Sequence, residues 1–368
     1  MLIIVNNVAA KARQAWPKIK HELDAAGVSY KTYQTERKGD ATLQARVALS
    51  AGEQLIVVVG GDGTLSEAAQ GFFRFNDDLD VAPTPINPQA TLAILPAGTG
   101  DDFARGLRRK RTPLNEWIGA LIAYVRCERV ELAERAAGSE QLDSALACGP
   151  PERSDSDPRD RSTPSRHNST ENRSHDSKAL RPRPIDVLYG RCDDYQTAFI
   201  CLNASTMGIG GETASRVAAQ RGLMRRFSGE FRFVCAAVGA LAVWRERRVR
   251  VTVDGRIVAD GPMNLVGVAN GLYAGGGMMF SPEARLDDGK LDVVTASGLS
   301  RTNVVTELSR IHTGGHLQNP KVSLAQGSFV RIETLLLQDA MPLEADGNVR
   351  GVTPVEFRVL PGALRFLS

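Results

Sequence analysis

The chain lacks most of the features that mark an exported, metal-stapled or membrane-spanning protein. Its five cysteines (Cys127, Cys148, Cys192, Cys201 and Cys235) are odd in number and include no C-x-x-C pair. That argues against a disulfide framework and a structural zinc site, and favours a reducing compartment. Long hydrophobic runs are missing too. The longest nearly apolar stretch, Phe233 to Trp244, is about half of the roughly 20 residues that a membrane span needs. No signal-peptide pattern precedes the strand-like run that starts at Leu2, so a cytoplasmic location is expected. Neither sign of charge dominates: 45 Lys and Arg against 42 Asp and Glu leave +3. A strongly basic nucleic-acid binder and an acidic solvating protein are therefore excluded as readings of the whole chain.

What is present is ample apolar material in a long chain. With 368 residues and 42% hydrophobic content, two domains are expected. The first third alternates between two periods. Leu2-Ile3-Ile4-Val5 reads as a strand, residues 11–26 as a helix, Val28 to Thr35 as a strand and residues 41–51 as a helix. Leu55 to Val59 is a continuous apolar run, as a parallel strand buried on both faces requires. A helix from about Thr64 to Phe75 and a strand from Thr91 to Leu95 follow. This alternation predicts an α/β layer with a mostly parallel sheet.

Residues 149–184 break the pattern, with six prolines, seven serines, seven arginines and no aromatic residue. Such a segment cannot bury enough to offset its ordering entropy, so about 136–183 is read as a disordered insertion. Beyond it, short strand-like runs predict an antiparallel β domain. They are Ile185–Tyr189, Gln196–Leu202, Val249–Val253, Met263–Val268, Leu291–Thr295, Ser328–Glu333 and Val355–Leu360. A helix is expected over about Gly229 to Arg245.

Two loops carry the chemistry. Gly60-Gly61-Asp62-Gly63-Thr64 stands between a strand and a helix. Glycines there let the backbone approach a ligand, N–H groups can cradle phosphate oxygens, and a helix N-terminus adds positive potential. Asp62 would repel phosphate unless a divalent cation lay between them, which points to Mg²⁺. The bland alternative is a glycine-rich turn with an N-capping side chain. Leu95-Pro96-Ala97-Gly98-Thr99-Gly100-Asp101-Asp102-Phe103-Ala104-Arg105 ends another strand of the same expected sheet. Ligands of open α/β sheets bind outside the carboxyl ends of strands, so the two loops should face one crevice.

These motifs, in order with Asn203–Gly211, Asn270–Gly277, the Pro282–Asp292 segment and Ala345-Asp346-Gly347, resemble the diacylglycerol kinase catalytic-domain superfamily, specifically the bacterial soluble lipid kinases. The resemblance spans nearly the whole chain except the insertion. It implies a nucleotide-binding α/β domain like those of NAD kinase and phosphofructokinase over residues 1–130, and an antiparallel β-sandwich over 185–349. It also implies a last strand, about 350–368, that returns to the first domain, and an active site in the cleft between the two. Nucleotide contacts carry over to Asn6, Asn7, Thr35, Gly60, Gly61, Asp62, Gly63, Thr64, Glu67, Gly98, Thr99 and Asp102. A structural Mg²⁺ maps to the backbone carbonyls of Arg285 and Lys290 and the carboxylate of Asp288; the alternative is a plain hairpin turn at 287–289. The catalytic segment maps to Asp346 and Asn348, with Asp62 organising catalytic Mg²⁺. Here the chain departs from the family, whose Asp-Gly-Glu supplies a base, whereas Asn348 cannot accept a proton; Asp346, Glu344 or a water is left to compensate.

The expected activity is an ATP- and Mg²⁺-dependent lipid kinase acting on the hydroxyl of diacylglycerol or a related lipid. A peripheral approach to the membrane is expected, with no nucleic-acid partner and a homodimer left open. The basic clusters at 107–111 and 221–232 are candidates for that approach. Two other readings stay open: an enzyme like NAD kinase, and a nucleotide-binding regulator weakened by Asn348.

Overall fold

Strand β1 (Leu2–Val5) and helix α1 (Ala10–Ala25) open an alternation that continues through β2 (Lys31–Gln34), α2 (Asp40–Ser50), β3 (Leu55–Gly60) and α3 (Asp62–Gly71). A short pair, β4 (Phe73–Arg74) and β5 (Thr84–Pro85), precedes β6 (Thr91–Pro96), α4 (Asp102–Arg108) and α5 (Leu114–Ala147). Then come β7 (Pro182–Cys192), β8 (Thr197–Cys201), β9 (Ala204–Gly208), α6 (Ile209–Ala219) and α7 (Gly229–Val243). β10 (Arg247–Val253), β11 (Arg256–Met263), β12 (Leu265–Ala269), the small hairpin β13 (Tyr273–Ala274) and β14 (Met278–Met279), and β15 (Leu291–Ala296) lead to α8 (Arg301–Arg310). β16 (Val322–Gly327), β17 (Phe329–Thr334), β18 (Pro342–Ala345), β19 (Asn348–Val352) and β20 (Val355–Leu367) complete the order. The structure is a computed structural model and describes residues 1–147, 180–193, 195–220, 227 and 229–368.

The first strands form a parallel sheet in the order β2-β1-β3-β6. Every residue of β1 and β3 is buried, as parallel strands covered on both faces must be. The later strands form two facing layers. One is the six-stranded antiparallel sheet β16-β15-β12-β9-β18-β19. The other comprises β11, β10, β17, β7, β8 and the first half of β20. Leu188, Phe199, Val251 and Phe357 of this second layer share one buried core with Met207, Val266, Val268 and Leu343 of the six-stranded sheet. Alternation of inward apolar residues along each strand makes this a sandwich.

β20 belongs to both halves. Its first residues pair with β17 and β7. After a bend at Pro361-Gly362, where Gly362 has a φ of +58°, Arg365 and Phe366 pair in parallel with Thr91 and Leu92 of β6. Asp186 of β7 holds the bend, accepting the Gly362 N–H at 2.8 Å and the Gly289 N–H at 2.7 Å. The α/β layer and the sandwich consequently lie in one compact unit, Met1–Ile118 with Arg181–Ser368.

The second unit is Gly119–Leu180. Its described part is largely the continuation of α5, which stays helical through Ala147. The expected insertion thus overlaps helix over 136–147, where Ala, Leu, Glu and Gln favour that conformation. At its other end β7 begins at Pro182. The part of the insertion over 148–179 lies outside the described residues.

Candidate active site

The two glycine loops meet. Gly61 is the N-cap of α3 and Asp62 its first residue. A Cβ on Gly98 would lie 2.5 Å from the Gly61 Cα, so the loops touch through backbone that only glycine permits. Asp62 reaches across and caps the neighbouring helix. Its Oδ2 accepts the Asp102 N–H and its Oδ1 the Phe103 N–H, both at 2.9 Å. These are two of the donors that the first turn of α4 leaves unpaired.

Asp101 folds back in a left-handed conformation (φ +52°), and its Oδ1 accepts the Gly98 N–H at 2.8 Å. Asp102 points the other way, its Oδ2 accepting the Gly276 N–H at 2.7 Å from the hairpin between β13 and β14. The second oxygen of Asp102, Oδ1, is buried and has no partner. Burial raises all three carboxyls above their ordinary values, and for Asp62 the adjacent charge of Asp102 adds to the effect. Two carboxylates this close, one with a bare buried oxygen, fit a divalent cation. Among the described residues no three His, Cys, Asp or Glu side chains gather to hold a metal alone. A cation at Asp102, with the remaining lone pairs of Asp62 nearby, would complete its shell with phosphate oxygens and water.

The other nucleotide-side residues divide. Asn6 donates to Thr64 Oγ1 at 2.7 Å and accepts the N–H groups of Val8 and Ala9, so it braces the loop after β1 against α3. Asn7 is half-buried in the same loop. Thr35 is buried at the end of β2, its N–H on the Val5 carbonyl. Thr99 is exposed, and its carbonyl accepts from Arg111. Glu67 turns away from the loops: its carboxylate accepts the N–H of Gly39, the N-cap of α2. A cavity of about 530 Å³ adjoins the second loop, lined by Lys11, Gly98, Asp101, Arg105, Arg111 and Trp117 among others.

The sandwich brings the 346–348 turn to this place. A Cβ on Gly63 would stand 3.8 Å from the Asn348 amide nitrogen. Arg350 donates to Ser66 on α3 at 3.3 Å. Gln70, also on α3, exchanges two hydrogen bonds with the backbone of Ile200 in β8, as a neighbouring strand would. Asp346 does not face the loops. Its carboxylate accepts the N–H groups of Leu202 at 2.8 Å, Asn203 at 2.9 Å and Ala204 at 3.3 Å, plus the Cys201 thiol. It holds a turn at a positive φ of 49°. Glu344 is buried behind that turn, accepting from Thr206 Oγ1 at 2.7 Å and from the Gly347 N–H at 2.8 Å; burial pushes it up to about 7.

Arg285, Asp288 and Lys290 lie on the turn before β15. Asp288 accepts the Lys290 N–H at 3.1 Å, and the turn is tied to Asp186 through Gly289 and Leu286. Two carbonyls and a carboxylate are an oxygen set that fits Mg²⁺ chemistry, and this turn is closed by its own hydrogen bonds as well. The hairpin donor Gly276 and the Gln70 clamp lay outside the expected site residues, and Asp101, present in the 95–105 motif, closes its loop. Gly276 stood inside the Asn270–Gly277 motif, the only signal that pointed to it.

A parallel α/β sheet gathers glycines and carboxylates at its strand-end loops, and a turn of the β-sandwich closes over them. A family model described as "Diacylglycerol kinase catalytic domain" matches residues 1–131, and one described as "YegS C-terminal NAD kinase beta sandwich-like domain" matches 206–368. A protein named diacylglycerol kinase from Staphylococcus carnosus is 22% identical over 358 residues, 96% of this chain and 90% of that protein. A "Probable lipid kinase YegS-like" protein of Xanthomonas campestris is 27% identical over 78% of this chain and 71% of its own length. Among solved structures, a diacylglycerol kinase from Bacillus anthracis superposes with a TM-score of 0.59 at 20% identity, covering 100% of this chain and 95% of that one. Together the two matched models, the curated relatives and the shared fold support a diacylglycerol kinase-like soluble lipid kinase family for this chain.

Proposed function

We propose that this protein transfers the γ-phosphate of ATP, with Mg²⁺, to the hydroxyl of diacylglycerol or a closely related neutral lipid. The observation that carries the reading is the meeting of Asp62, Asp102 and Asn348 at the N-terminus of α3, with one buried oxygen of Asp102 left free. In this reading the backbone N–H groups of residues 61–63 and 99–101 face the nucleotide phosphates, those of Gly98 and Asp102 being taken by Asp101 and Asp62. Asn6 and Thr64 fix the loop after β1 for the same ligand. A cation held at Asp102 would neutralise phosphate charge, the dominant requirement of phosphoryl transfer.

Asn348 would orient the acceptor hydroxyl by hydrogen bonding without taking its proton. Asp346 is unsuited to that role, since both its oxygens are held by backbone donors of the 202–204 segment. The chemistry is therefore expected to be slower than in an enzyme with a carboxylate base at 348. Purified protein with ATP, Mg²⁺ and dispersed diacylglycerol should yield phosphatidate. Formation of NADP from NAD in its place would assign the NAD kinase-like alternative. ATP binding with no lipid phosphorylated would assign the regulator.

A further inference from the structure

The connection between β17 and β18 exposes three successive leucines: Leu335 at 41%, Leu336 at 49% and Leu337 at 97%. Burying an apolar side chain of this size is normally worth a large fraction of a fold's margin, so a leucine left bare on a floppy loop would collapse onto the surface. This loop cannot collapse, because it is braced. The Leu335 N–H bonds to the Arg248 carbonyl, the Asp339 N–H to the Leu336 carbonyl at 2.8 Å, and the Ala340 N–H to the Leu337 carbonyl at 3.2 Å. Arg245 and Arg247 both donate to the Gln338 carbonyl, at 2.7 and 2.6 Å, and the Met341 N–H is held by Thr353. The leucines are presented rather than loose.

Their surroundings are apolar and cationic. The same arginines follow directly on α7, whose exposed residues include Val238 at 63% and Val243 at 62%. Arg245 pairs with Asp339 at 2.9 Å, but the arginine is 55% exposed and the aspartate 4%, so the pair shows its cation to solvent. Arg248 is exposed beside it, and Glu246 is turned onto the Gly298 N–H. A bare apolar tip flanked by the exposed arginines Arg245 and Arg248 complements one kind of partner: a bilayer surface with anionic headgroups, where leucines enter the acyl boundary and arginines meet phosphate. Neither basic cluster singled out in the sequence contains these residues.

We infer that the Leu335–Leu337 loop, with Arg245, Arg248 and the end of α7, is the surface by which this protein docks on anionic membranes. The choice of a bilayer as partner rests on the lipid-kinase reading above. The test is co-sedimentation with vesicles of phosphatidylglycerol and phosphatidylcholine, against phosphatidylcholine alone, using wild type and Leu336→Ser/Leu337→Ser. Wild type should favour the anionic vesicles. The double variant should bind them roughly tenfold or more weakly for each leucine that inserts, and Arg248→Gln should shallow the salt dependence. A second assay uses a short-chain diacylglycerol dispersed without vesicles, on which the double variant should match wild type. Vesicle binding unchanged in the double variant overturns the docking surface. So does a wild-type dimer that the double variant dissociates while vesicle binding stays equal, since the leucines would then cover a second copy. Vesicle binding lost while neither protein phosphorylates any lipid supports the surface and removes the activity reading.

Discussion

Asp346 and Asp102 are buried to nearly the same degree, 7% and 4% exposed, and each stands beside a glycine-bearing turn. Their hydrogen bonding separates them. Asp346 collects three backbone N–H groups and a thiol, whereas Asp102 is held at Oδ2 by the Gly276 N–H and leaves Oδ1 bare. A buried carboxylate with both oxygens engaged is a structural brace. One with a free oxygen is costly to fold around and persists where a ligand completes it. Motif position alone placed both residues in the site, Asp346 as catalytic and Asp102 as a nucleotide contact; partner accounting tells the brace from the site.

The comparison breaks most directly at Asp346. Asp346→Ala strands the N–H groups of Leu202, Asn203 and Ala204, each about 1–3 kcal/mol when buried and unpaired, so a loss of about 3–5 kcal/mol is expected in chemical denaturation. A midpoint that hardly moves would show that the turn holds itself. Asp102→Asn should do the opposite, with kcat lowered about 10²–10³-fold while the melting temperature holds or rises, because one of two mutually repelling carboxylates is gone. If activity survives this change, the bare oxygen has no role in the reaction.

Glu344 sharpens the contrast through pH. Its folded value lies near 7 against an ordinary 4.5 because burial disfavours the charge. The folded protein keeps a proton that the unfolded chain has released, so stability is highest below about pH 4.5 for this group and falls as pH rises to 7, by up to about 3 kcal/mol. Glu344→Gln should flatten that slope in denaturant titrations run between pH 5 and 7.5; an identical slope in both proteins refutes the assignment. The smallest effect is expected from Asn348→Glu. A carboxylate beside Gly63 should raise kcat about tenfold with little change in the KM for ATP. A fall in rate instead would mean that the added charge repels the phosphates and that another group already handles the proton.

The legible parts of the fold share a physical cause. β1, β3 and β6 are buried on both faces, so their sequences are short, nearly unbroken apolar runs bounded by turn residues. The strands that escaped are half-wet or short. β11 is mostly exposed along its length and is broken in sequence by Asp260-Gly261-Pro262, and β18 and β19 are four and five residues around a turn. α5 outran the expected boundary because composition fails as a core former before it fails as a helix former. In the site, glycine and aspartate content located both loops, yet side-chain direction was invisible. Glu67 belongs to the α2 cap, and the donors that occupy Asp346 lie 142 to 144 residues earlier in the chain. No local pattern can encode a bond across such a separation.

β20 carries a consequence for how the molecule comes into being. During synthesis the α/β strands emerge first, and β6 must wait with an open edge, a template for wrong partners, until the ribosome has passed residue 364. The sandwich waits for the same strand. Neither half can finish ahead of the other, as independent modules would; a single late segment stitches two nascent sheets at once. Chains arrested before residue 355 should accordingly be cut by protease in both halves, and protection should arrive in both together when β20 is released.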